Sequence, residues 1–175
     1  IGGHKALTPN LYASVGGGFT WVQKQIDFGQ LYFNNQWNEI DFDPDANNQE
    51  NLIGNRLNYL DLQAGGLVSY AQANKWSANI GMSVLHINQP KVSFLNGGDN
   101  RLGVRYIAQI SSTITANSRL NIEPAAYFTT QKRAAELVIG SNIAYTLANS
   151  GSAYKPKPMK AYAGLWYRYR DALTP

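Results

Sequence analysis

The feature that most constrains this chain is an alternation of apolar and polar residues with a period of two. In the segment Arg101–Ile114, the even-numbered positions are mostly apolar and the odd-numbered positions are mostly polar, charged or small. A β-strand points successive side chains to opposite faces, so this period predicts strands with one apolar and one polar face. Seven segments share the pattern: Leu11–Val22, Leu60–Tyr70, Trp76–Leu85, Arg101–Ile114, Arg119–Thr129, Leu137–Leu147 and Met159–Arg170.

The length of these segments indicates the kind of sheet. They exceed the five or six residues usual in soluble sheets and match what a tilted strand needs to cross a bilayer. No helical period and no apolar run of about eighteen residues is present, so no transmembrane helix is expected. The hydrophobic content of 44% does not argue against a barrel, because lumen-facing residues dilute the hydropathy of each strand. The sequence therefore predicts an all-β, antiparallel transmembrane β-barrel of the outer-membrane type.

A soluble β-sandwich or a lipocalin-like barrel is the alternative fold, because these also alternate, with the apolar face turned inward. The connections favour the membrane barrel, since bacterial outer-membrane barrels have short periplasmic turns and long extracellular loops. We expect Ala71–Lys75 and Thr115–Ser118 to face the periplasm, and Gly29–Asn58 and His86–Asn100 to face outside. The stretch Asn149–Pro158 is longer than a periplasmic turn should be.

Charge and residue content exclude several functions. The net charge of +4 is modest and Lys and Arg do not cluster, so no nucleic-acid partner is predicted. The chain has two His and no Cys, which excludes a His- or Cys-rich metal site. Asp41, Asp43, Asp45 and Glu50 alternate as in a calcium loop, but the turn glycine is absent and the twelfth position is Leu52. We read them as an exposed acidic loop, with weak calcium binding as the alternative.

No catalytic constellation stands out, and the chain is predicted to be neither an enzyme nor a cofactor-binding protein. Charged residues instead fall on the polar face of the predicted strands. In a barrel they meet across the lumen, as ion pairs or a polar plug, because charge facing lipid is costly. Lining a path for a solute or peptide is the alternative role. These residues are Asp61, Arg101, Arg105, Arg119, Glu123, Lys160, Arg168 and Arg170.

Three stretches carry a resemblance to a known family: DLQAGGLVSY at Asp61–Tyr70, GMSVLHINQPKVSF at Gly81–Phe94 and GLWYR at Gly164–Arg168. Together they resemble the PorP/SprF family of outer-membrane proteins of the type IX secretion system of Bacteroidetes. The resemblance implies that two groups of residues carry the family motif and a possible docking site for a partner. They are His86, Asn88, Gln89, Pro90 and Phe94 in the first group, and Gly164, Leu165, Trp166, Tyr167 and Arg168 in the second. A purely structural role for the first group, in which its side chains hydrogen-bond backbone groups left open at a strand end, is the alternative.

The resemblance implies a non-catalytic role in the bacterial outer membrane. Such proteins are similar to partners of the secretion and gliding machinery that support export or surface anchoring of adhesins. The implied partners are outer-membrane lipid, the C-terminal domain of a secreted adhesin and other type IX secretion components. A passive channel or porin and a soluble all-β binding domain remain alternatives. Family members are longer, so we expect residues 1–175 to form one domain of about seven strands, part of a larger barrel whose N- and C-terminal strands are missing.

Overall fold

A single antiparallel sheet is the main architecture of the residues that the structure describes. The computed structural model describes residues 1–27, 31, 34–37, 39–43, 46, 54–73, 75–94, 99–150, 157–170 and 172–174. The strands within them are β1 (Gly2–Thr8), β2 (Leu11–Gln25), β3 (Arg56–Gln72), β4 (Trp76–Leu85), β5 (Arg105–Thr115), β6 (Leu120–Gln131), β7 (Ala134–Ser150), β8 (Lys157–Arg168) and β9 (Ala172–Thr174). One turn of 3-10 helix covers Asn34–Gln36. None of the helical residues described makes a helix long and apolar enough to cross a membrane.

The strands follow one another across the sheet in chain order, from β1 to β9. Each is antiparallel to the next, and the longest register runs without interruption from Leu11 opposite Tyr70 to Gln25 opposite Arg56. Among the described residues β1 and β9 do not pair with each other, so the sheet is open. This confirms the predicted all-β antiparallel fold, and the open sheet is consistent with part of a barrel.

The ends of the strands differ from the prediction at three arginines, each of which was expected inside a strand. Arg101 precedes β5 and forms an isolated bridge with Lys91. Arg119 lies in the turn before β6, where its N–H donates to the Asn117 side-chain oxygen at 2.9 Å. Arg170 follows β8 with a φ of 63°, which a continuing strand does not allow. These three residues were therefore wrongly predicted to lie within strands, whereas their place on the polar face stays a prediction.

Two strands were not predicted. The first, β1, begins with Gly2, Gly3 and His4 and has no clear alternation. The second, β9, has only three residues, which is too short for a period to be read. Their absence from the prediction explains why seven strands were expected and nine are present in the described residues.

One face of the sheet carries the apolar residues, and these side chains are exposed. Phe19 is 74% exposed, Met82 69% and Ile80 56%, and Ala144 is the one buried hydrophobic residue among those described. In a soluble sandwich such a face packs against a second layer, which buries it. The described residues form one layer only, so the sheet has an apolar outer face and a polar inner face without a conventional core.

The connections between strands alternate between the two ends of the sheet. The short-turn end carries the connections 9–10, 73–75, 116–119 and 151–156. The long-loop end carries 26–55 and 86–104, together with the tight turns 132–133 and 169–171. Because β7 extends to Ser150 and β8 begins at Lys157, the connection that seemed too long in the sequence is shortened to residues 151–156.

Candidate functional site

The His86–Pro90 turn begins where β4 ends, at the long-loop end of the sheet. His86 has a φ of 58°, in the left-handed region, which reverses the direction that strand alternation gives its side chain. Its Nδ1 lies 2.8 Å from Oδ2 of Asp61 on the inner face of β3, and both side chains are mostly buried. The turn is therefore tied to β3 by a His–carboxylate contact.

Asn88 forms the second tie. Its side-chain oxygen accepts a hydrogen bond from the Leu62 N–H at 3.0 Å, and its Nδ2 donates to the Leu60 carbonyl at 2.6 Å. Backbone N–H and C=O groups away from water need a hydrogen-bond partner. Where β4 ends, the Asn88 amide provides that partner for the Leu62 N–H and the Leu60 carbonyl of β3. Pro90 is buried, and its carbonyl accepts the Leu102 N–H at 3.0 Å, which closes the base of the loop.

Two unfavourable features occur in this small region. Both His86 and Gln89 have positive φ values, 58° and 45°, which cost an L-residue energy. In addition, Oδ1 of Asp61 is buried and has no hydrogen-bond partner among the described residues. Strain and an unsatisfied buried atom persist where the surrounding contacts hold them, and such features concentrate at functional sites. The His86–Pro90 turn is therefore the main candidate site.

The Gly164–Arg168 stretch divides between the two faces of β8. Leu165 and Tyr167 lie on the apolar face and are exposed. Gly164, Trp166 and Arg168 lie on the inner face, opposite Asn142, Gly140 and Val138 of β7.

Trp166 requires the glycine opposite it. A Cβ at Gly140 would stand 2.5 Å from the Trp166 ring, so the absence of a side chain there makes room for the indole. The indole N–H donates to Oδ1 of Asn142 at 3.1 Å. A Cβ at Gly164 would collide with that same Asn142 oxygen. The motif residues Gly164 and Trp166 therefore form one packed unit with Gly140 and Asn142.

The predicted lumen charges are only partly brought together. Arg105 donates through Nε to Thr129 Oγ1 at 3.0 Å, and Arg168 pairs with Glu136 at 3.0 Å. Arg101 instead pairs with Asp99 at 3.1 Å in the exposed loop. There the hydrogen bond from Lys91, and after it the charge of Arg101, lowers the pKa of Asp99 from its usual value.

The remaining predicted residues lie apart from these pairs. Glu123 is on the inner face of β6 opposite Asn142, and Lys160 is on the inner face of β8 opposite Thr146. The Arg170 guanidinium lies 5.1 Å from the Tyr169 ring centre. Phe94 is half-buried in the loop after Pro90. The lumen roles of Glu123, Lys160 and Arg170 and the docking role of Phe94 remain predictions.

Arg105→Leu is expected to destabilise the protein by about 1–2 kcal/mol, because it removes a charged donor from the buried Thr129 hydroxyl. Ser111→Leu on the same strand is the matched control, since its hydroxyl receives only a long contact of 3.5 Å from Asn79. Urea unfolding from detergent micelles measures both. Equal shifts of the unfolding midpoint would contradict the role assigned to Arg105.

Sequence reasoning missed four residues of this region: Thr129, Glu136, Gly140 and Asn142. Glu136 stands just before the predicted segment Leu137–Leu147, and extending that segment by one residue would have included it. Gly140 and Asn142 matter only because β8 places Trp166 beside them, which no local pattern shows.

Two residues of the acidic loop, Asp41 and Asp43, lie among the described residues. Asp41 accepts the Phe42 N–H at 2.8 Å through its own side chain, as in an exposed turn. Asp45 and Glu50 lie outside the described residues. Among the residues that are described, no three His, Cys, Asp or Glu side chains form a group that could hold a metal ion.

Comparison with known proteins identifies a family for the whole sheet. The model of the type IX secretion system membrane protein PorP/SprF family matches residues 3–175. No curated protein and no solved structure matches the chain significantly. The match covers β2 to β4, which carry the His86 turn, and β7 to β8, which carry Trp166. The chain belongs to the PorP/SprF family of type IX secretion system membrane proteins.

Proposed function

We propose that this protein is a non-catalytic β-barrel component of the bacterial outer membrane that supports export or surface anchoring of adhesins by type IX secretion. The observation that carries the proposal is the exposed apolar face that extends along the sheet of a type IX secretion membrane protein. The gliding machinery of Bacteroidetes is the setting that the family suggests.

The apolar face fits lipid. Val15, Phe19 and Met82 are each at least two-thirds exposed on this face, and no second layer among the described residues covers them. Exposing apolar side chains to lipid tails costs little free energy, whereas exposing them to water is unfavourable. The charged residues Arg105, Glu136 and Arg168 lie on the other face, where they avoid the cost of facing hydrocarbon.

The His86–Pro90 turn is the proposed docking point for a secretion partner, at the long-loop end that we assign to the cell exterior. Its side chains His86 and Asn88 are used to hold the turn in place. Ile87 takes part through its backbone N–H, which donates to the Leu62 carbonyl, and the residue is 44% exposed. A rigid turn that presents an apolar side chain suits recognition, since little freedom is lost on binding.

Co-purification from native membranes tests this function. The tagged full-length protein is expected to be found in the outer-membrane fraction. It is also expected to co-purify with type IX secretion components and an adhesin C-terminal domain. Ile87→Ser is expected to reduce that recovery at least about threefold, because it removes the apolar contact without touching the ties of the turn.

Leu31→Ser is the matched control, because Leu31 is 43% exposed in the other long connection. It is expected to leave recovery unchanged. A protein that stays monodisperse in buffer without detergent would reject the membrane assignment. Equal recovery by wild type and Ile87→Ser would reject the docking point while leaving the membrane assignment standing.

A further inference from the structure

At the short-turn end, two cations stand on either side of a hydroxyl on the inner face. The Thr146 N–H donates to the Arg119 carbonyl at 2.7 Å, which places these two residues directly opposite each other. Thr146 is also in register with Lys160 on β8. Arg119, Thr146 and Lys160 therefore form one row across three adjacent chain segments. With about 4.8 Å between neighbouring strands, both long side chains can reach a small group held above Thr146.

The row lines an open cavity of about 620 Å³, and the remaining lining residues are rich in hydrogen-bond donors. Thr115 and Asn121 are cross-strand partners on the inner face, and Asn117 and Ser118 belong to the turn. The Asn117 oxygen accepts the N–H groups of Arg119 and Leu120, which leaves its NH₂ group as the part of the amide able to donate to a ligand.

Among the described residues, no acidic side chain forms an ion pair with the cations of this cavity. Neither Arg119 nor Lys160 forms an ion pair within the described residues, in contrast to Arg168 with Glu136 and Arg101 with Asp99. Glu123, on the same face of β6, lies opposite Asn142 and also forms no ion pair within the described residues. Lys75, in the connection 73–75 at the same end, adds a further positive charge.

We propose that this cavity, the Arg119–Lys160 site, binds a phosphate-type oxyanion. Two cations and several hydroxyl and amide donors match a tetrahedral anion, whose oxygens accept from several directions at once. A carboxylate offers fewer acceptor oxygens for the same set of donors. Free phosphate compounds and the phosphate of a lipid headgroup present the same chemistry. The site is separate from the His86 turn, which lies at the opposite end of the sheet.

Titration with inorganic phosphate tests the site, using the full-length protein in detergent micelles at constant ionic strength. Isothermal calorimetry is expected to show saturable binding to the wild type. The double variant Arg119→Gln with Lys160→Gln is expected to bind at least about tenfold more weakly, because it removes both charged donors and keeps the neutral ones.

The matched control is Arg56→Gln with Arg133→Gln, which removes the same charge from two exposed positions at the long-loop end. It is expected to bind phosphate as the wild type does. Absence of saturable binding to the wild type, or equal loss in both double variants, would overturn the site. Because no secretion partner takes part, this result is independent of the co-purification experiment.

A second titration identifies the source of the anion. The protein is placed in nanodiscs of phosphatidylcholine alone or with phosphatidylglycerol, and phosphate binding is measured again. If phosphatidylglycerol weakens phosphate binding to the wild type but not to the Arg119→Gln, Lys160→Gln variant, the site is assigned to the lipid headgroup. Unchanged binding would assign it to soluble phosphate compounds that reach the inner face.

Discussion

Gly140→Ala is expected to be one of the most destabilising single substitutions in this sheet, by about 2–3 kcal/mol. The added Cβ would stand 2.5 Å from the Trp166 ring and 2.6 Å from the Leu165 carbonyl oxygen, and backbone cannot move as a flexible side chain does. Displacing the indole also breaks its hydrogen bond to Asn142. Urea unfolding from micelles, followed by near-UV circular dichroism of the tryptophans, measures the loss.

Gly3→Ala is the matched control. A Cβ at Gly3, in the edge strand β1, meets no atom within 4 Å. Its effect is expected to stay within about 0.5 kcal/mol, and its sign to be set by the lower backbone entropy of alanine. If both variants unfold at the same urea concentration, the close packing of Trp166 on Gly140 does not contribute to stability.

Asp61→Ala is expected to cost about 2 kcal/mol and to release the His86–Pro90 turn. The substitution removes the acceptor 2.8 Å from the His86 ring, and the left-handed backbone of His86 then loses the contact that holds it. The loss is moderated because the buried, unpaired Oδ1 of Asp61 is removed as well. Limited proteolysis should then cut the connection 86–104 faster, in addition to the lower unfolding midpoint.

Asp99→Ala is the comparison within the same loop. Asp99 pairs with Lys91 and Arg101, but these side chains are exposed and water screens them. We expect no measurable change in either the midpoint or the cleavage rate. A release of the turn by Asp99→Ala as large as that by Asp61→Ala would show that the loop charges, and not the His86 contact, hold it.

The sequence predicted β2 to β8 because a period of two is a local property, and each of these strands keeps it over ten residues or more. The strand ends were harder to predict. The start of β6 depends on the Asn117 side chain accepting two backbone N–H groups, and the end of β8 depends on a positive φ at Arg170. Alternation also cannot distinguish an apolar face that is buried from one that is exposed.

The candidate site could be predicted only as far as residues near in sequence define it. His86, Asn88 and Pro90 were recognisable as a stretch, but their anchoring on β3 crosses 25 residues and depends on the reversed backbone of His86. The pairing of Trp166 with Gly140 needs the β7–β8 register in the same way. In both places the sequence motif identified one residue of the contact, and the strand register determines which residue lies opposite it.

The chain-order arrangement of the strands has a consequence for how the sheet forms. Every strand pairs only with its neighbours in sequence, so most loops that must close are short, which costs little entropy. Such local pairing favours rapid folding for a β-protein. The closures across 26–55 and 86–104 are the longest and therefore cost the most loop entropy. The open sheet also leaves β1 and β9 as two unpaired edges, whose free N–H and C=O groups can pair with a further strand.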